Sequence, residues 1–70
     1  MNTADIVRMA NQIAAFFAAY PKEEAVAGVQ GHIRDFWEPR MKKDLDQHIK
    51  AGGKGLEPLV LEAAARLFAK

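Results

Sequence analysis

The stretch RDFWEPRMKK, Arg34 to Lys43, decides how this chain folds. Pro39 lacks a backbone N–H, and its ring pushes Glu38 away from helical dihedrals, so a helix arriving through Phe36 and Trp37 must stop there. The same proline suits the first position of a new helix. Reading outward, one helix extends back from Trp37 to about Lys22 and another forward from Pro39 to about Lys50. Val26, Val29, Ile33, Phe36 and Trp37 recur at helical spacing and give the first its apolar face. Met41, Leu45, His48 and Ile49 mark the inner face of the second. Glu23 and Glu24 lie in the first turn of the Lys22 helix, where the dipole favours negative charge.

Further out, Asn2 is a plausible N-cap for a helix from about Thr3 to Tyr20, with Asp5 three residues on and Pro21 as its stop. Ile6, Met9, Ala10, Ile13, Phe16, Phe17 and Tyr20 fall on one stripe of it. AGGKG, Ala51 to Gly55, reads as a C-cap and loop, and Leu56-Glu57-Pro58 opens a fourth helix running to the C-terminus. The expected fold is therefore all-α, one domain over residues 1–70, a compact array of four short helices.

Composition bounds the function. A chain of 70 residues buries only about 60% of the surface its unfolded form exposes, and folds of this size usually need reinforcement from a disulfide, a metal or a partner. There is no cysteine, which removes disulfides, thiolate zinc sites and Cys-ligated iron–sulfur clusters. There is no serine either, and the only side-chain hydroxyls are those of Thr3 and Tyr20. Nucleophilic catalysis needs an activatable group held beside a base, and His32 and His48 stand in no ligand-spaced cluster. This inventory argues against catalysis in the chain itself. A net charge of +1 exerts no global pull on nucleic acid or membrane. No segment reaches the roughly 18 apolar residues of a membrane span, and MNTADIVRMA has no basic n-region of a signal peptide. The expectation is a soluble cytoplasmic domain.

Several features exceed what a bare helical array requires. IAAFFAAY, Ile13 to Tyr20, carries no polar side chain except the tyrosine hydroxyl, and Ala15 and Ala19 lie opposite the Ile13–Phe17 stripe. Leu59, Val60, Leu61, Ala63, Ala64, Ala65, Leu67 and Phe68 cover well over half the circumference of the fourth helix. A helix apolar nearly all round is usually buried on all sides, so Leu61 and Phe68 point to a partner surface, although exposed alanine by itself marks only a good helix former. Gly28 and Gly31, each costing about 1 kcal/mol against alanine inside a helix, read either as a place where another backbone approaches or as glycines with no packing role. Around the break, Arg40–Asp44 and Lys42–Asp46 have the spacing of internal pairs. That spacing leaves Trp37 and Arg40 unexplained. Both are residue types enriched in interface hot spots, and Trp37 reads equally as core and as anchor.

Two motifs fail. GGKG follows a helix and lacks both the spacing and the Ser or Thr of a phosphate loop. The basic run Arg40, Lys42, Lys43 is interleaved with Glu38, Asp44 and Asp46, which a phosphate-tracking face would not carry.

RMANQIAAFF (Arg8–Phe17), YPKEEAVAGV (Tyr20–Val29), HIRDFWEPRM (His32–Met41) and GGKGLEPLVLEAA (Gly52–Ala64) together resemble the small delta subunit of the soluble NAD-dependent formate dehydrogenases of bacteria. FWEPRM and PLVLEA are the most specific parts, and the resemblance runs nearly end to end. It implies a cytoplasmic complex that oxidises formate to carbon dioxide and reduces NAD. In such a complex the large alpha subunit holds a bis-pterin molybdenum or tungsten centre and iron–sulfur clusters. Beta and gamma subunits carry flavin (FMN), NAD binding and further clusters. The delta subunit is implied to hold no cofactor, to bind the alpha subunit, and to support its stability or cofactor loading. On that reading Phe36, Trp37, Arg40 and Met41 form the docking edge, with Pro39 fixing their geometry. Two other classes compete: a transient factor that assists molybdenum-cofactor insertion, and a small helical nucleic-acid-binding or regulatory protein. Surplus apolar surface also predisposes the isolated chain to form a homodimer.

Overall fold

The computed structural model describes residues 2–69. Its elements are α1 (Thr3–Phe17), α2 (Lys22–Phe36), α3 (Pro39–Lys50) and α4 (Pro58–Leu67), with no strand among the described residues. The all-α array expected from periodicity is the fold observed. α1 is the hub, touching the other three helices, while α2 and α4 share the most extensive contact.

Local chemistry explains each boundary. The Asp5 backbone N–H donates to Asn2 Oδ1 at 2.9 Å, closing the expected cap of α1. α1 stops a turn earlier than its stripe suggested: the Tyr20 N–H donates to the Phe17 carbonyl at 3.0 Å, a tight three-residue step. Pro21 disfavours helical dihedrals at Tyr20, so the last apolar residues of the stripe close a turn instead of extending the helix. α2 ends on Trp37, which is extended (φ −88°, ψ 138°), and Glu38 is extended as well (φ −67°, ψ 155°), so two non-helical residues separate α2 from α3. Lys42 spans that break. Its Nζ donates to the Arg34 carbonyl at 3.1 Å, satisfying one of the acceptors left bare at the end of α2. This bond takes the place of the expected Lys42–Asp46 pair. Asp46 pairs instead with Lys50 at 3.0 Å, and Arg40–Asp44 does not close. A lysine stem reaching back toward a helix C-terminus gains the dipole as well as the bond, which the forward carboxylate does not offer.

α3 ends in a Schellman arrangement: Gly53 N–H donates to the His48 carbonyl at 2.9 Å and Gly52 N–H to that of Ile49 at 3.0 Å. Gly52 and Gly53 both take positive φ there, which is why AGG and not a bulkier sequence follows Lys50. The loop is then pinned to α1 by Asn11, whose Nδ2 donates to the Gly55 carbonyl at 2.9 Å and whose Oδ1 accepts from the Glu57 N–H at 3.0 Å.

Ile6, Ala10 and Ala14 of α1 meet Val26, Val29 and Ile33 of α2, Leu45 of α3 and Val60 and Ala63 of α4 in one core, which Trp37 and Leu56 complete. Burial of each branched aliphatic side chain in that set contributes ~1.5–3 kcal/mol. The five ion pairs among the described residues join side chains that stay largely in water, so they add little.

The glycines of α2 divide. A Cβ at Gly28 would overlap the ring of Phe17, so the close approach expected there is made by an aromatic side chain of α1 and not by a foreign backbone. A Cβ at Gly31 would meet only Arg34 Nη2, at 3.7 Å. Gly31→Ala is therefore expected to stabilise the chain by up to ~1 kcal/mol, a gain of roughly 4–8 °C in Tm. Gly28→Ala has the same helix gain but must displace a ring, at ~1–3 kcal/mol of overpacking. Thermal melts of the two variants should place Gly28→Ala below the parent chain or level with it. Equal stabilisation by both would show that Phe17 does not rest on Gly28.

Candidate functional site

α1 and α2 are joined by a four-residue turn and run antiparallel. Phe17 meets Gly28 near that turn, and Met9 and Trp37 lie on one groove toward the other end. This open groove of about 510 Å³ lies between these helices, lined by Met9, Gln12, Ile13, Phe16 and Phe17 of α1 and by His32 and Trp37. None of the lining side chains is a carboxylate, lysine or arginine.

The groove follows from residues one step around each helix from the core. Ala10 and Ala14 are buried, while Met9 and Ile13, about 100° away, are only partly covered. Ile33 is buried and His32 beside it is partly covered. The aromatic residues stand at its margins. Phe16 is 70% exposed and packs edge-on against Phe17 with centroids 5.0 Å apart; Tyr20 tilts on Phe17 at 5.6 Å. Phe36 is 75% exposed and rests on the His32 ring at 4.9 Å, an i,i+4 contact along α2. Solvent exposure of Phe16 in the lining and of Phe36 beside the lining residue His32 is a cost that a partner would remove.

The residues singled out from sequence are only partly brought together. Trp37 lines the groove, Phe36 rests on the lining residue His32, and Gly28 lies beneath the Phe17 ring. Trp37 is 6% exposed and belongs to the core; its remaining surface forms the groove floor. Pro39 and Arg40 are exposed beyond it, and Met41 turns inward to pack on the core. Gly31 lies on an open side of α2. Leu61 is exposed on α4 and Phe68, the C-cap of α4, packs partly against the core; neither lines the groove. α4 is not enclosed on all sides: Ala65 and Arg66 are exposed with Leu61.

Phe16 and His32 were not foreseen as site residues. Two signals for them exist in the sequence. Adjacent Phe16 and Phe17 stand about 100° apart, so one core cannot take both. His32 precedes Phe36 by one turn.

Charge around the groove is mostly engaged. The Arg34 guanidinium donates to both Asp35 oxygens at 2.9 and 3.1 Å and holds that carboxyl below its ordinary range. Lys22 pairs with Glu62, Arg66 with Glu23 and Arg8 with Asp5. Arg40, Lys43, Glu24 and Glu38 have no ion-pair partner among the described residues. His48 Nε2 lies 2.8 Å from the Lys54 carbonyl, well along the chain from His32. No group of three or more His, Cys, Asp or Glu among the described residues is placed to hold a metal, and no helix of the structure is long and apolar enough to cross a membrane. The chain has no cysteine and so offers no thiolate ligand to an iron–sulfur cluster.

A family model described as "NADH-dependant formate dehydrogenase delta subunit FdsD" matches residues 5–64. That span contains α1 from its third residue, all of α2 and α3, and most of α4. No curated protein and no solved structure matches the chain.

Proposed function

Since the chain belongs to the family of NADH-dependent formate dehydrogenase delta subunits, we propose that it is a non-catalytic accessory subunit of that enzyme complex. It binds the large catalytic subunit through the aromatic margin of the α1–α2 groove and supports that subunit's stability or cofactor loading. The bis-pterin metal, iron–sulfur clusters, flavin and NAD then reside in the partner subunits, with the whole complex in the cytoplasm. The observation that carries this reading is the pair Phe16, which lines a largely apolar groove, and Phe36, which rests on the lining residue His32, both mostly in water. Aromatic side chains, phenylalanine among them, are enriched at protein interfaces. Here the Phe17 ring and the His32 ring give the two a base.

The test is co-purification from the native host with a tag on this chain, followed by formate-dependent NAD reduction. The expected result is recovery of the large subunit in near-equal amount together with activity. Trace recovery, confined to enzyme not yet loaded with its metal cofactor, would instead identify a transient assembly factor. Absence of the large subunit from the eluate would overturn the proposal.

A further inference from the structure

The reading that the α1–α2 groove is the docking face leaves open what enters it, and the inference below rests on that reading. Along α1 the lining residues Met9, Gln12, Ile13 and Phe16 follow one another at three- and four-residue steps. They form a trough about two helical turns long, on the order of 10 Å. The far wall is His32 of α2 and Trp37 just beyond its end. A trough between two antiparallel helices takes a third helix, whose apolar residues at i, i+3 or i+4, and i+7 fill it. No strand edge is present among the described residues to take an extended peptide.

The ends of the trough differ in charge. At the α1–α2 turn, Glu24 stands one helical turn before Gly28 and has no cation partner among the described residues, whereas Lys22 and Glu23 nearby are neutralised by Glu62 and Arg66. At the other end, Arg40 follows Trp37 by three residues, and Lys43 lies one turn further along α3. Both are exposed and without a carboxylate partner. Glu38 and Asp44, also without a cation partner, offset two of the three cations Arg40, Lys42 and Lys43 and leave one positive charge. The C-terminal end of α2 and the N-terminal end of α3 bring opposite dipole ends to this break. The turn end is therefore negative and the Trp37 end positive.

We infer that the groove receives an amphipathic helix of the large subunit lying parallel to α2. Its N-terminus lies over Glu24 and its C-terminus over Arg40 and Lys43. The partner helix carries Leu-, Ile- or Met-type side chains on the face that enters the trough and one or more carboxylates in its last turn. A helix so directed places the positive end of its own dipole on Glu24 and the negative end on the cations. The reverse direction opposes both.

Direction is read by photo-crosslinking in the assembled complex. p-Benzoylphenylalanine replaces Tyr20 in one version of the chain and Phe36 in another; both side chains are exposed aromatics, so the fold is retained. α2 spans 15 residues between these points, so the two captured sites should lie about ten to fifteen residues apart on one helix at ~1.5 Å per residue. The Tyr20 position should capture the more N-terminal site. Capture in the opposite order, or on segments that share no helix, overturns the inference while leaving the groove as the docking face. Capture of a second copy of this chain overturns it too. Capture in the expected order on a helix of another subunit keeps the direction and overturns the partner assigned above. No capture from either position, with this chain still bound, removes the groove as the docking face and the inference with it. As an independent check, Glu24→Lys and the pair Arg40→Glu/Lys43→Glu should each weaken binding about tenfold at low salt, with the difference fading at high salt. No effect at low salt would overturn the assigned direction.

Discussion

Trp37→Ala is expected to leave the isolated chain unfolded at room temperature. The indole is 6% exposed and packs with Ile6, Ile33 and Leu45 in the one core of the molecule. Truncating a buried tryptophan typically costs ~3–5 kcal/mol, from lost transfer energy and from the cavity left behind. A core of this size rarely supplies more than ~3–5 kcal/mol of net stability, so a single substitution can remove all of it. The position compounds the effect. Trp37 is the C-cap of α2, and its extended backbone sets where α3 begins; without the ring, the two-residue break keeps only the Lys42–Arg34 bond across it and loses its own hold on the core. Far-UV circular dichroism should show most of the helical signal lost and no cooperative melt. Trp37→Phe keeps an aromatic ring in the site and should fold, with a Tm lowered by roughly 4–8 °C for each kcal/mol lost. If Trp37→Ala instead melts within a few degrees of the parent chain, the indole is not part of the core. It would then be free to act as the anchor that its residue type suggests.

The two prolines that open helices, the asparagine cap and the glycine loop are local signals. They act within a few residues, so periodicity and punctuation place α2 and α3 to within a residue and open α4 correctly, although α4 stops at Leu67 and does not run to the C-terminus. What sequence could not place is which side of each apolar stripe meets which neighbour. Ile13 and Phe17 share a stripe with Ile6 and Ala10, yet the stripe is wider than the core it faces, and its edge spills into the groove. Whether Phe16 or Phe17 turns outward depends on Gly28, eleven residues away in sequence, because only a glycine there lets the Phe17 ring lie against α2. Lys42 is a similar case. Its spacing to Asp46 is visible in the chain, but the bare carbonyl of Arg34 becomes its neighbour only after the Glu38–Pro39 break has turned the helix. Trp37 was ambiguous for the same reason: a residue at a helix end points into the core or away from it according to two dihedrals that its identity does not determine.

The double variant Phe16→Ala/Phe36→Ala is expected to fold and yet to lose its place in the complex. Both rings are mostly solvent-exposed in the isolated chain. Their removal therefore forfeits only the edge contact with Phe17 and the stack on His32, within ~0.5 kcal/mol for each surface change. Alanine also has the higher helix propensity, by up to ~0.7 kcal/mol per residue, so the melt should stay within a few degrees of the parent. Binding responds differently. A rim aromatic that becomes fully desolvated on docking costs ~2 kcal/mol or more when truncated. The two act on one groove and will not add fully, so affinity for enzyme depleted of this chain should fall by about 100- to 1000-fold. The readout pairs a dissociation constant with a circular dichroism melt on the same samples, because only a loss of binding with an unchanged melt assigns the rings to an interface. Unchanged affinity, to within threefold, would mean that Phe16 and Phe36 remain in water in the complex. The exposed Leu61 side of α4 would then be the surface left to carry the contact.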